Sequence, residues 1–216
     1  MIELSEIFYS IQGESTFSGI PCIFIRLAGC NLRCSYCDTT YSYIKSFSLN
    51  PEEIIDKIIE YEPIRLVEVT GGEPLMQEEV YLLFELLKMK NYRILLETNG
   101  SICIKKVPSY VYKIVDVKCP GSNTDNSFLE SNLQYLTVHD QVKFVISNSE
   151  DYNYAKSFLK KINTDKTAIL FSPVPERLAP EILARWILRD RLNVRLQLQL
   201  HKLIWIQGEN TGNQDG

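Results

Sequence analysis

Long apolar runs are missing from this chain. No stretch approaches the roughly 18–20 residues that a membrane span needs, so a spanning protein is not expected. A basic block is missing too. The 23 Lys and Arg residues are scattered among 27 Asp and Glu, for a net charge of −4, which makes a nucleic-acid binder or a membrane-surface protein a poor reading. The opening Met1-Ile2-Glu3-Leu4-Ser5-Glu6 lacks the basic region and apolar core of a secretory signal, so a cytoplasmic location is expected. Internal repeats and low-complexity linkers are also lacking. What remains is 216 residues, 45% of them hydrophobic, which fits one domain with a sizeable core over 1–206 and a loose polar tail at 207–216.

Within that domain, short apolar runs alternate with helical stretches. Strands are expected at 22–27, 66–70, 94–98, 114–118, 142–146, 168–171 and 194–198. Helices are expected from Asn50 onward and over 77–90, 149–161 and 180–191. Asn50-Pro51-Glu52-Glu53 reads as an N-cap, a first-turn proline and a third-position acid, followed by an apolar stripe of Ile54, Ile55, Ile58 and Ile59. The rhythm implies α/β architecture with about six parallel strands joined by right-handed crossovers, too few to close an eight-fold barrel, hence a partial, open β/α barrel. Sites in such folds lie at the C-terminal strand ends. The unusual loops fall there: Gly29-Cys30, Gly71-Gly72-Glu73, Asn99-Gly100 and Cys119-Pro120-Gly121.

Three of the six cysteines, Cys30, Cys34 and Cys37, lie within eight residues as C-x3-C-x2-C. Structural zinc usually takes four protein ligands, and the only histidines, His139 and His201, are far along the chain. Three thiolates on one loop suit a four-iron cluster with one iron left open for chemistry. Cys22 and Cys103 read as small core residues in strand-like contexts.

This loop, with the aromatic Tyr36 before its last cysteine and Thr70-Gly71-Gly72-Glu73-Pro74 one β–α unit later, resembles the signature of the radical S-adenosylmethionine superfamily. The resemblance implies a [4Fe-4S] cluster on the three cysteines, whose open iron chelates S-adenosylmethionine and whose electron breaks its sulfonium bond. The glycines would allow close backbone approach, and Glu73 would accept from the ligand's ammonium group. Glu6 to Ser15, Arg26 to Cys30, Cys37-Asp38-Thr39, Glu97-Thr98-Asn99-Gly100, Asp116 to Pro120 and Gln199-Leu200-His201-Lys202 further resemble the 7-carboxy-7-deazaguanine synthase family of the queuosine precursor pathway, over nearly the whole chain. That family converts 6-carboxy-5,6,7,8-tetrahydropterin to 7-carboxy-7-deazaguanine with loss of ammonia. It needs magnesium and recycles S-adenosylmethionine.

By the same resemblance, segment 1–20 contributes to the substrate pocket. Ile11, Gln12, Gly13 and Glu14 would line it, Arg26 would pair with the substrate carboxylate, and Thr70 and His201 would touch substrate. Tyr36, Cys37, Asp38, Gly71, Gly72, Glu73, Asn99, Lys118, Cys119, Pro120 and Ser172 would contact S-adenosylmethionine, and Thr39 would bind Mg²⁺. Residues 169–174 depart from the family's usual Gln-Pro pair there. A flavodoxin-like electron donor and a homodimer are implied as well. The alternatives are a glycyl-radical-enzyme activase, which shares the cysteine loop but acts on a partner protein, and a non-catalytic electron-transfer or zinc module.

Overall fold

The computed structural model describes residues 1–164 and 166–205, so the expected tail at 207–216 lies outside the described residues. One sheet runs through them. Its strands are β1 (Ile2–Ile11), β2 (Pro21–Leu27), β3 (Phe47–Leu49), β4 (Leu66–Gly71), β5 (Arg93–Thr98), β6 (Val111–Asp116), β7 (Gln141–Ile146), β8 (Ala168–Pro173) and β9 (Arg195–Leu196). The spatial order is β3-β1-β2-β4-β5-β6-β7-β8-β9, nine strands with two free edges. From β2 to β9 every pairing is parallel. This is the expected open parallel barrel, with seven parallel strands.

Two strands were not expected. β1 and β3 add an antiparallel edge. β1 escapes period-2 reading because a bulge interrupts it: Leu4 pairs with Leu27 but Glu6 pairs with the next residue, Arg26. The bulge leaves Ile2 and Leu4 in the outer core while turning Glu6, Phe8 and Gln12 inward. β9, expected over 194–198, is only two residues long, and its partner-free edge is exposed.

The helices are α1 (Pro51–Ile58), α2 (Val80–Met89), α3 (Ser149–Phe158), α4 (Pro180–Asp190) and α5 (His201–Ile204). α1 starts as its sequence predicts: the Asn50 side chain accepts from the Glu53 amide while the Glu53 carboxylate accepts from the Asn50 amide, a reciprocal cap. Apolar residues of the helices and outer strand faces form two large clusters. The inner face is layered. Cys22, Phe24, Leu66, Leu95 and Ile114 make an apolar plug at its lower end. Two residues further along the same face of the same strands stand Arg26, Glu68, Glu97 and Asp116, so the upper end is charged. Cys22 is core as expected. Cys103 is not: it is exposed, in the loop before a short helical turn at Ile104–Lys106, where its apolar neighbours turn inward without it.

Candidate active site

The cysteine loop leaves the C-terminal end of β2 and is held from three directions. Gly71 and Gly72 form its floor. Gly71 has φ +141°, and a Cβ at Gly72 would lie 1.9 Å from the Gly29 carbonyl oxygen. The glycines expected to admit a ligand therefore first admit this loop, with Glu73 N donating to Gly29 O at 2.8 Å. The turn at Pro120–Ser122 backs the loop, through Ser35 N to Ser122 O at 2.9 Å and Ser35 Oγ to Gly121 O at 2.6 Å. Arg177, beyond β8, reaches across to donate to Ser35 O and Oγ, each at 3.0 Å, with its guanidinium over the Tyr36 ring.

The three thiols are partly exposed and face different neighbours. Cys30 Sγ accepts weakly from Asn99 Nδ2 at 3.9 Å, Cys34 Sγ lies 3.4 Å from Thr124 Oγ1, and Cys37 Sγ lies 3.8 Å from Thr39 Oγ1. Among the described residues no three His, Cys, Asp or Glu side chains share the position of a single metal ion. Three accessible thiols on one loop, with hydroxyl and amide groups beside them, fit the donor set of a cluster held at three corners.

Two expected ligand contacts need correction. Glu73 is fully buried, and its carboxylate accepts from Thr98 Oγ1, Asn99 N and Leu75 N, so it anchors the β5 turn and is not open to a ligand's ammonium group. Burial pushes its pKa up in spite of those donors. The Cys119 thiol is fully buried in the second core cluster, which leaves only its backbone near the rim. Lys118 pairs with Asp116 at 2.8 Å, Asn99 reaches the cysteine loop through Asn31, Ser172 is buried on the inner face of β8, and Pro120 opens the supporting turn. Thr39 precedes the helical turn Thr40–Tyr43, yet its side chain makes no capping bond.

Beside the loop lies a charged chamber. Gln12 Nε2 donates to Glu68, and Gln12 Oε1 accepts from Glu14 N at 2.9 Å. Lys143 pairs with Glu14 at 3.0 Å, with Glu97, and with Asp116 at 3.8 Å. Thr70 Oγ1 donates to Glu97 at 3.2 Å. Arg26 donates through Nε to Glu6 at 2.7 Å, keeping its two Nη groups outside that pair, and its guanidinium lies over Phe8 and Tyr41. Burial sets the electrostatics first. It pushes Glu68 up to about 8, helped by the neighbouring Glu97 and Glu14 charges. It acts on Glu14 in the same direction, but Lys143 and the Gln199 amide overcome it and hold that carboxyl below its ordinary range. It disfavours the Lys143 charge, and the three carboxylates around it more than restore it. At neutral pH the chamber thus holds a protonated Glu68 beside an ionised Glu14.

The C-terminal segment closes over this chamber. Leu200 N donates to Gly13 O at 2.9 Å, Gln199 Nε2 to Glu14 at 2.9 Å, and Lys202 pairs with Asp38 at 3.0 Å. His201 sits on Gly13, where a Cβ would meet its Nδ1 at 2.1 Å. Burial lowers the His201 pKa. The structure therefore brings Gln12, Gly13, Glu14, Arg26, Thr70 and His201 around one chamber. Ile11 alternates to the face opposite Gln12 and can contribute only backbone there. Glu68, Glu97, Asp116, Lys143 and Arg177 were not singled out as site residues from sequence. For the four on strands the signal was present: a lone charge inside an apolar strand run, as in Val67-Glu68-Val69 and Val142-Lys143-Phe144.

Comparison with known proteins agrees with this geometry. Residues 24–117 match the radical SAM superfamily. A 7-carboxy-7-deazaguanine synthase of Koribacter versatilis is 43% identical over 94% of this chain and 97% of its own. One from Chlorobaculum tepidum is 42% identical over 94% of each. The crystal structure of QueE from Escherichia coli shares the fold, with a TM-score of 0.79 at 24% identity over 93% of this chain and 94% of that one. Relatives so named do not favour the activase alternative. With identity at that level across nearly its full length, this chain belongs to the 7-carboxy-7-deazaguanine synthase family of radical S-adenosylmethionine proteins.

Proposed function

We propose that this chain converts 6-carboxy-5,6,7,8-tetrahydropterin to 7-carboxy-7-deazaguanine with loss of ammonia, a lyase step of queuosine biosynthesis. The observation that carries the reading is the ring of Gln12, Glu14, Glu68, Glu97 and Lys143 on the same rim as the cysteine loop. Cys30, Cys34 and Cys37 would hold the [4Fe-4S] cluster, which would supply one-electron reducing power toward bound S-adenosylmethionine.

The remaining tasks fall to the chain. Ionised Glu14 accepts from ring N–H groups of the pterin, protonated Glu68 donates, and the Gln12 amide holds the two in register. Arg26 receives the substrate carboxylate on its free Nη groups. Tyr36, Asp38, Gly71, Gly72, Asn99, Ser172 and the backbone of 118–120 line the S-adenosylmethionine end. Thr39, with its hydroxyl free of a cap, binds Mg²⁺. The segment from Gln197 to Trp205 shields the chamber from water. The exposed edge of the cysteine loop receives a flavodoxin-like donor, and the chain acts as a cytoplasmic homodimer of single-domain subunits.

The test is direct. Anaerobic reconstitution is expected to load about four irons per chain. Reductant, S-adenosylmethionine, Mg²⁺ and carboxytetrahydropterin should then yield the deazaguanine carboxylate and ammonia. Cleavage of S-adenosylmethionine with no pterin consumed would sink the assignment.

A further inference from the structure

A second cleft lies at the other end of the strands, below the apolar plug. It measures about 740 Å³ and is built from the starts of β2, β4, β5 and β6 and the end of α2. That volume is in the range of small-molecule sites, roughly 300–1,000 Å³. In a chain of net charge −4 its lining carries three side-chain cations, Arg65, Lys88 and Arg93, and no carboxylate among the described residues. Arg65 is engaged by Glu62 at 3.0 Å. Lys88 and Arg93 lie against rings instead, Lys88 Nζ 5.3 Å from the Tyr110 centroid and Arg93 5.9 Å from that of Phe17. A cation on an aromatic face is positioned without being neutralised.

The far wall is aromatic, with Tyr112 and His139 5.4 Å apart. A smaller adjoining cleft shares both residues and reaches Gln141. That side chain is 1% exposed; its Oε1 accepts from Thr16 N, while its Nε2 has no hydrogen-bond partner. A buried donor without an acceptor is costly and marks a position where an acceptor is missing. None of these residues belongs to the charged chamber.

We propose that this cleft is a second ligand site, one that takes a nucleoside monophosphate with its phosphate on Arg93 and Lys88 and its base against Tyr110, Tyr112 and His139. A guanidinium and an ammonium lining one cleft with no carboxylate among the described residues suit a phosphate, and the ring faces of the far wall suit a base. Because Leu66 lines the cleft and Glu68 the chamber on one face of β4, occupancy is within two residues of the catalytic end.

Titration calorimetry of the cluster-loaded protein with GMP, guanosine and inorganic phosphate tests this. GMP should saturate one site per chain and bind at least tenfold more tightly than either fragment. The variant Lys88→Gln/Arg93→Gln should weaken GMP at least tenfold at unchanged Tm. Lys88→Gln alone, at an exposed helix position, should weaken it about threefold and serves if the double variant does not fold. No saturable GMP binding, phosphate binding as tightly as GMP, or equal GMP affinity in wild type and variants would each overturn the proposal.

Discussion

Lys143 lies 6% exposed among Glu14, Glu97 and Asp116, and its charge is what allows three acids to share one chamber. Lys143→Met should therefore cost about 3–5 kcal/mol in urea denaturation at pH 7, because it leaves buried carboxylates uncompensated. A loss below about 1 kcal/mol would mean that Lys143 is not what compensates these acids. Glu68 gives the opposite kind of effect. Burial, Glu97 and Glu14 raise its pKa from 4.5 to about 8. Between those values the folded state keeps a proton that the unfolded state has lost, so the Glu68 contribution to stability falls as pH rises through that window and levels off above it. Glu68→Gln should flatten this decline while preserving an acceptor for Gln12. Denaturation curves at pH 5, 6.5 and 8 read it, and an unchanged slope would contradict the assignment. These charged residues could be noticed in sequence, but which carboxylate is ionised could not, since that depends on neighbours brought from four strands and the segment after β1.

At the scale of elements, the regular pieces were legible where local chemistry decides them. The Asn50–Glu53 reciprocal cap and the apolar stripe of α1 act within one helix. Parallel strands buried on both faces read as apolar runs for the same reason. β1 was missed because its bulge breaks the alternation, and β9 was overextended because its pairing with β8 stops at Leu196 although β8 runs on to Pro173, a limit set by tertiary contacts. The contact of the Gly71-Gly72 turn with the cysteine loop is likewise tertiary. Gly72→Ala would drive a methyl group into the Gly29 carbonyl and push the loop off its floor. Reconstituted iron should fall to less than half, seen by iron assay and by the cluster's visible absorbance. Full loading would mean that the loop tolerates the shift.

For the whole molecule, the segment after β1 and the C-terminal end of the described chain meet over the chamber. Glu14 and Gly13, just after the first strand, receive Gln199, Leu200 and His201, nearly two hundred residues away. Gly13→Ala would displace His201 and open this closure without touching the cysteines. The expected result is a KM for the pterin raised at least fivefold with iron content unchanged. A fall in iron, or no change in KM, would refute the role given to the closure.

The sequence by itself determined the chemistry that depends on short spacing: three thiols in eight residues, a glycine turn one β–α unit later, and an open parallel sheet with its site at the strand ends. Those features are local, so residue order is enough to state them. Only the tertiary structure decided what the glycine turn touches, that Glu73 and the Cys119 thiol face inward, and that Glu68 stays protonated beside an ionised Glu14. Close approach, burial and charge coupling are set by groups distant in the chain, and the cysteine loop becomes a site only where Gly72, Ser122 and Arg177 hold it.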